Sequence, residues 1–201
     1  MGDRSSPRRL LVEGVDDERV IPELMEANGV TWGEKKEHAI VKIRPYDGIE
    51  NILAEGVIEA ELKASGLKVL GVMVDADGDA DETWSRVRNR CLPSFPELPG
   101  TLPEEGLIAQ VENGKRLGVW VMPDNRSHGM METFLTYLVP KNADPVLRWA
   151  EEACATAGKL HRAPYKDAHA DKAKIHTWLA WQDPPGRQLH DAVKLRILQP
   201  E

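Results

Sequence analysis

The segment Leu67–Val74 (LKVLGVMV) is an almost unbroken apolar run that ends directly on an acid, Asp75. A strand of this kind is buried on both faces, which is the pattern of a parallel sheet covered by helices on each side. The rest of the chain alternates strand and helix signals around it, and such alternation predicts an α/β fold with a mostly parallel sheet. Arg9–Glu13 (RLLVE) reads as a short buried strand. Asp16 or Asp17 then caps a helix to about Asn28, with Val20, Ile21, Leu24 and Met25 on one face and Gly29 as its stop. Ala39–Arg44 alternates like a second strand, Ile49–Ala64 reads as one helix ended by Gly66, and a further helix covers about Asp81 to Cys91.

Pro93, Pro96, Pro99 and Pro103 mark an ordered surface excursion, because strand signals resume at once after it. Leu107–Val111 and Arg116–Met122 predict a hairpin across Asn113-Gly114, a favoured tight-turn pair. Met130–Leu138, Pro145–Ala157, about Ala168–Trp181 and His190–Ile197 read as helices, with a loop at Gly158–Asp167 and a break at Pro184-Pro185-Gly186. Trp178 and Trp181, three apart on a helix, read as core. The expected organisation is an α/β core over residues 1–140 and a helical extension over 141–201, packed on that core.

No apolar stretch approaches the roughly 20 residues of a membrane helix, and the polar start Met1–Arg9 with the short run Leu10–Val12 predicts no secretory leader. Cys91 and Cys154 lie far apart, outside any C-x-x-C pattern, and are expected to be reduced in a cytoplasmic protein. The net charge is −7, but residues 141–201 hold ten Lys/Arg against eight Asp/Glu while residues 1–140 carry −9. An acidic part suited to divalent cations thus precedes a mildly basic part that can meet phosphates, and unaided DNA affinity is expected to be weak.

The informative feature is where the acids fall. Glu13 closes the first strand and is followed by Gly14; Asp75 closes the strongest strand, with Asp77 two residues on. In a parallel α/β sheet the carboxyl ends of the strands share one edge, and ligands bind there. Glu13 and the Asp75/Asp77 pair are therefore expected in one crevice, as three hard oxygen ligands suited to Mg²⁺ or Mn²⁺. Gly14 leaves room for close approach. Helix capping and a solvated turn at Asp75–Asp81 are the plainer alternative; that two acid groups each sit at a strand end favours the shared site.

Two other acid-rich motifs resemble the Asp75–Asp81 run. A calcium EF-hand loop needs Gly at its sixth position and Glu at its twelfth, and counting from Asp75 these are Ala80 and Arg86. A haloacid-dehalogenase-type phosphatase carries Asp-x-Asp-Gly-Thr after its first strand. Asp75-Ala76-Asp77-Gly78 fits, but Asp79 replaces the Thr and the motif comes late in the chain. That reading stays as an alternative.

Leu11-Val12-Glu13-Gly14 with Val74-Asp75-Ala76-Asp77 resembles the Toprim domain of primases, topoisomerases, recombination-repair proteins and the OLD (overcoming-lysogenisation-defect) nucleases. Over nearly its whole length the chain is similar to a Toprim-like bacterial family of unknown function. That similarity rests on Glu13-Gly14-x-Asp16-Asp17, Val74–Asp77, Met122-Pro123-Asp124-Asn125, Gly129-Met130-Met131-Glu132, and Lys172 with Ile175–Gln182. The resemblance implies that Glu13 is a metal ligand or general acid/base and that Asp75 and Asp77 hold Mg²⁺. It also implies a second metal site, for which Asp17, Asp124 and Glu132 are candidates, and a catalytic lysine, for which Lys172 is first and Lys174 second. The Ser-x-Glu usual in OLD proteins is absent, since Ser127 and Glu132 do not have that spacing.

The implied chemistry is hydrolysis of nucleic-acid phosphodiesters, DNA ahead of RNA, with one or two Mg²⁺ or Mn²⁺ ions. Divalent cations and a lysine stabilise the charge that gathers on phosphoryl oxygens, and the cations make water a usable nucleophile near neutral pH. Related nucleases work with an ATPase, often in phage defence or repair. This sequence lacks a G-x-x-x-x-G-K-[ST] loop, so the ATPase is expected on a separate protein. The competing functions are a non-catalytic nucleic-acid or nucleotide binding module and the phosphatase. Oligomeric state is not legible.

Overall fold

The computed structural model describes residues 6–33, 39–110 and 114–199. Five strands form one sheet: β1 (Arg8–Val12), β2 (Lys42–Pro45), β3 (Val69–Asp75), β4 (Leu107–Gln110) and β5 (Arg116–Met122). Their order across the sheet is β2-β1-β3-β5-β4. Four strands run parallel, and only β4 pairs antiparallel with β5 at one edge. The expected turn at Asn113 and the strand end at Val111 lie outside the described residues.

Eight α-helices cover the sheet among the described residues: α1 (Val15–Ala27), α2 (Ile49–Ile52), α3 (Val57–Lys63), α4 (Ala80–Cys91), α5 (Met131–Thr136), α6 (Asp144–His161), α7 (Ala170–Ala180) and α8 (Leu189–Lys194). On one face Leu70, Val72 and Val74 pack with Ile52, Ile58, Trp84 and Val87 from α2, α3 and α4, under a lid of Phe95, Leu98 and Leu102 from the proline-rich segment. On the other face Val12 and Met122 pack with residues of α1, α5, α7 and α8, such as Val20, Leu135, Ile175 and Val193. The α/β, mostly parallel architecture is thus the one the apolar run requires, and residues beyond 140 are helical. No helix among the described residues is long and apolar enough to cross a membrane. Cys91 and Cys154 are free and buried.

Several local expectations change in the tertiary structure. The long helix expected over Ile49–Ala64 is two helices, because Gly56 takes a left-handed φ of 79°. The break lets Ile52 and Ile58 enter the same core. β2 covers Lys42–Pro45 rather than Ala39–Arg44, since its register is set by β1, from Arg9 opposite Lys42 to Val12 opposite Pro45. α6 runs past Gly158 to His161, and Arg162 at φ 55° ends it. Gly158 serves packing instead: a Cβ there would lie 3.0 Å from the Tyr165 hydroxyl. Strand β3 is fully buried on one face only; its other face carries half-buried Gly71 and Met73. Trp178 is core, but Trp181 is 44% exposed.

Candidate metal centre

In the sheet register Asp75 lies opposite Met122, so β3 and β5 end level, and Glu13 follows the last residue of β1 beside them. The Glu13 carboxylate is held across this edge by two backbone amides. Its Oε1 accepts from Asp75 N at 2.8 Å and its Oε2 from Ile49 N at 3.1 Å. Asp75 Oδ1 in turn accepts from Met131 N, at 3.0 Å, at the start of α5. Asp17 sits in the first turn of α1, where its Oδ2 accepts from Gly14 N at 2.7 Å. The N-cap of α1 is therefore Gly14, not Asp16 or Asp17; Asp17 reaches back to the cap as the acid of a capping box.

Asp77 adopts a positive φ of 51°. Its backbone exchanges two hydrogen bonds of 2.9 Å with Gly129, tying the loop after β3 to the loop after β5. Gly129 is required there: its φ is 132°, and a Cβ would lie 2.5 Å from Thr133 Oγ1. Glu132, one residue past the Met131 amide, is 4% exposed and accepts an ion pair from Lys172 Nζ at 2.9 Å. Lys172 Nζ also stands 3.9 Å from Asp16.

The electrostatics are those of acids crowded out of water. Burial, then the charges of Glu13, Asp17 and Glu132, push the Asp75 carboxyl up to about 8 against the pull of the Met131 amide. Asp17 is pushed up to about 6, first by burial and then by Glu132 and Asp16, against the Gly14 amide and Lys172. Glu13 is raised mainly by burial, with Asp77 and Asp17 adding and its two amide donors opposing. Burial acts to lower Lys172, but its hydrogen bond to Glu132 and the charges of Glu132, Asp16 and Asp75 outweigh it and lift the ammonium above its ordinary range.

The structure therefore brings Glu13, Asp17, Asp75, Asp77, Glu132 and Lys172 into one electrostatic neighbourhood. It engages Asp124 elsewhere. That carboxylate accepts from Ser127 N at 2.7 Å, Ser127 Oγ at 2.9 Å and Arg126 N at 3.1 Å, closing its own turn. Burial acts to raise its pKa, but those bonds and the charge of Arg126 together outweigh it and hold it below the usual range. Lys174 is also diverted, to Asp171 at 2.7 Å. In the sequence Asp16 reads only as a helix cap, and Thr133 and Asp171 carry no signal. Thr133 Oγ1 accepts from Met130 N at 3.0 Å and donates to Asp171 Oδ2 at 2.6 Å, which braces the start of α5 against α7. Asp16 lies within the Glu13–Asp17 tract and Thr133 next to Glu132, but their contacts with α7, to Lys172 and Asp171, are tertiary.

Among the described residues no three His, Cys, Asp or Glu side chains form a ready-made metal cluster. The carboxylates are instead turned onto backbone amides, three of which point at Glu13 and Asp75. Each bonded oxygen keeps a second lone pair. The donor set itself fits a hard divalent cation: five carboxylates, buried or half-buried apart from the exposed Asp77, face a single lysine.

The family model described as Protein of unknown function (DUF3226) matches residues 7–201, so the chain belongs to that family. Neither a curated protein nor a solved structure matches the chain.

Proposed function

We propose that this DUF3226 family member is a Mg²⁺- or Mn²⁺-dependent hydrolase of nucleic-acid phosphodiesters, with a Toprim-like site at the carboxyl edge of its sheet. The observation that carries this reading is the Glu13–Asp75 contact. The side chain of Glu13, which follows β1, accepts the amide of the acid ending β3, so two acids remote in sequence share one edge. Glu13, Asp75 and Asp77 would hold one ion, with Asp17 and Glu132 next to it; Asp124, spent on its own turn, falls out of this set. When bound, the ion supplies positive charge to phosphoryl oxygens and activates water.

The chain's own residues do the rest. The amides of Asp75, Ile49 and Met131 fix the carboxylates that would ligate, so they do not reorient as charge develops. Lys172, half-exposed at the mouth and held by Glu132, can donate to a phosphate oxygen entering from solvent. The sequence contains no phosphate-binding P-loop, so an ATPase that drives the reaction would come from outside these 201 residues.

The test is incubation with supercoiled plasmid and single-stranded DNA in Mg²⁺, Mn²⁺ or EDTA. Cleavage in either metal, none in EDTA, and none with folded Glu13→Gln or Asp75→Asn protein is the expected outcome. Retention of DNA without products under any metal would identify a binding module instead. Turnover of an aryl phosphate with intact DNA would favour the phosphatase, although Asp79, where that motif has Thr, here caps α4 through bonds to Asp81 N and Glu82 N.

A further inference from the structure

Helix α6 is the longest in the structure, with 18 residues, about 27 Å of axis. Its inner face is set by Leu147, Ala150 and Cys154, with Ala150 fully buried and Cys154 Sγ 3.3 Å from Thr177 Oγ1 of α7. Another face carries the exposed Val146, Trp149, Thr156 and Leu160, with half-buried Ala153 among them. These are spaced alternately by three and four residues, which is the seam of a two-helix coiled coil. The large members are far out of the core: Trp149 is 62% exposed and Leu160 74%. A tryptophan and a leucine stacked at seam positions on a solvent face call for a partner.

The flanking charges say what the partner is. Glu152 and Lys159 sit one heptad apart on the same flank of the seam; both are exposed, and among the described residues neither forms an ion pair within the chain. When two copies of this helix are laid antiparallel, each Trp149 meets the second copy's Leu160 and each Ala153 meets its Thr156. The small pair at the centre lets the axes approach, and the bulky pairs close both ends. In the same register Glu152 of each copy faces Lys159 of the other, so two ion pairs form at once. A parallel pairing would set Glu152 beside Ala157 of the second copy and carry Lys159 past the end of its helix, so neither charge would meet a partner.

We propose that this chain forms a two-fold symmetric homodimer through antiparallel pairing of α6 with α6 of a second copy. The contact is isologous and therefore closes. The seam offers four layers from a single helix per copy, a small contact whose dissociation a micromolar concentration series can follow. This inference is independent of the catalytic reading, since none of its residues lies in the acid site.

Sedimentation equilibrium of the full chain over a micromolar concentration series tests it. The expected result is a monomer–dimer equilibrium that Trp149→Glu abolishes, with circular dichroism and melting temperature unchanged because the residue is exposed. Glu152→Lys and Lys159→Glu should each weaken dimerisation about tenfold, as two rim attractions become repulsions. The combined Glu152→Lys/Lys159→Glu protein should return to the wild-type dissociation constant, because the reversed pair is again complementary. A wild-type chain that is monomeric throughout would overturn the proposal, as would a dimer that survives Trp149→Glu, or a double swap as weak as its single parents.

Discussion

Replacing Asp75 by Asn removes one charge from the acid cluster while leaving an oxygen to accept from Met131 N. In the folded protein burial and the neighbouring acids push the Asp75 carboxyl up to about 8 from its ordinary 3.8. A raised carboxyl binds its proton more tightly when folded than when unfolded, so between those two values the native state carries more protons. Stability contributed by this group therefore falls as pH rises through that window, and it is lowest above about 8. One decade of pKa corresponds to about 1.4 kcal/mol. The full displacement sets a ceiling of about 5–6 kcal/mol, which solvent at the crevice mouth screens to about 2–3 kcal/mol.

Asp75→Asn should thus match the wild type in metal-free buffer near pH 4 and exceed it by about 2–3 kcal/mol at pH 8, or about 5–10 °C in melting temperature for a chain of this size. Mg²⁺ should raise the melting temperature of the wild type at pH 8 and leave the variant unmoved, since a cation that binds only the folded acids stabilises only the folded state. Differential scanning calorimetry at both pH values, with EDTA and with Mg²⁺, measures all four quantities. A variant no more stable than the wild type at pH 8 would refute the crowding argument. An equal Mg²⁺ response in both proteins would refute Asp75 as a ligand.

Three further outcomes follow from the same contacts. Lys172→Ala should reduce cleavage through kcat more than through KM, because its charge matters most as the phosphate gains charge; an effect confined to KM would assign it to binding alone. Gly129→Ala should cost about 2–3 kcal/mol in urea unfolding, since its Cβ meets Thr133 Oγ1 and its φ of 132° disfavours any side chain; a neutral result would mean the Asp77–Gly129 bridge yields without loss. Glu61, 5% exposed and bonded to Arg9, Arg44 and the Tyr46 hydroxyl, should cost about 3–5 kcal/mol when changed to Leu, because Arg9 is left buried without that carboxylate. Unfolding at wild-type denaturant concentration would show that Arg9 is rehydrated.

The sequence by itself determined the architecture and the edge at which chemistry is expected. An apolar run ending on Asp75 and a short strand read as closing on Glu13 dictate parallel strands, and parallel strands leave their terminal acids on one side. Asp17 was legible as a neighbour for the same local reason, one helical turn from Glu13. Periodicity could not show that Asp124 would close its own turn, that Lys174 would be taken by Asp171, or that Gly158 would admit Tyr165 rather than end a helix. The first two are contacts within three residues and the third lies seven residues away, but which rotamer and which turn wins is set by the packing around them rather than by periodicity. The helix break at Gly56, likewise, is decided by the core that Ile52 and Ile58 must both enter. Most of all, the Glu13–Asp75 hydrogen bond joins residues 62 apart in the chain. Only the pairing of β1 with β3 brings them together, and the burial that follows gives the cluster its raised carboxyls.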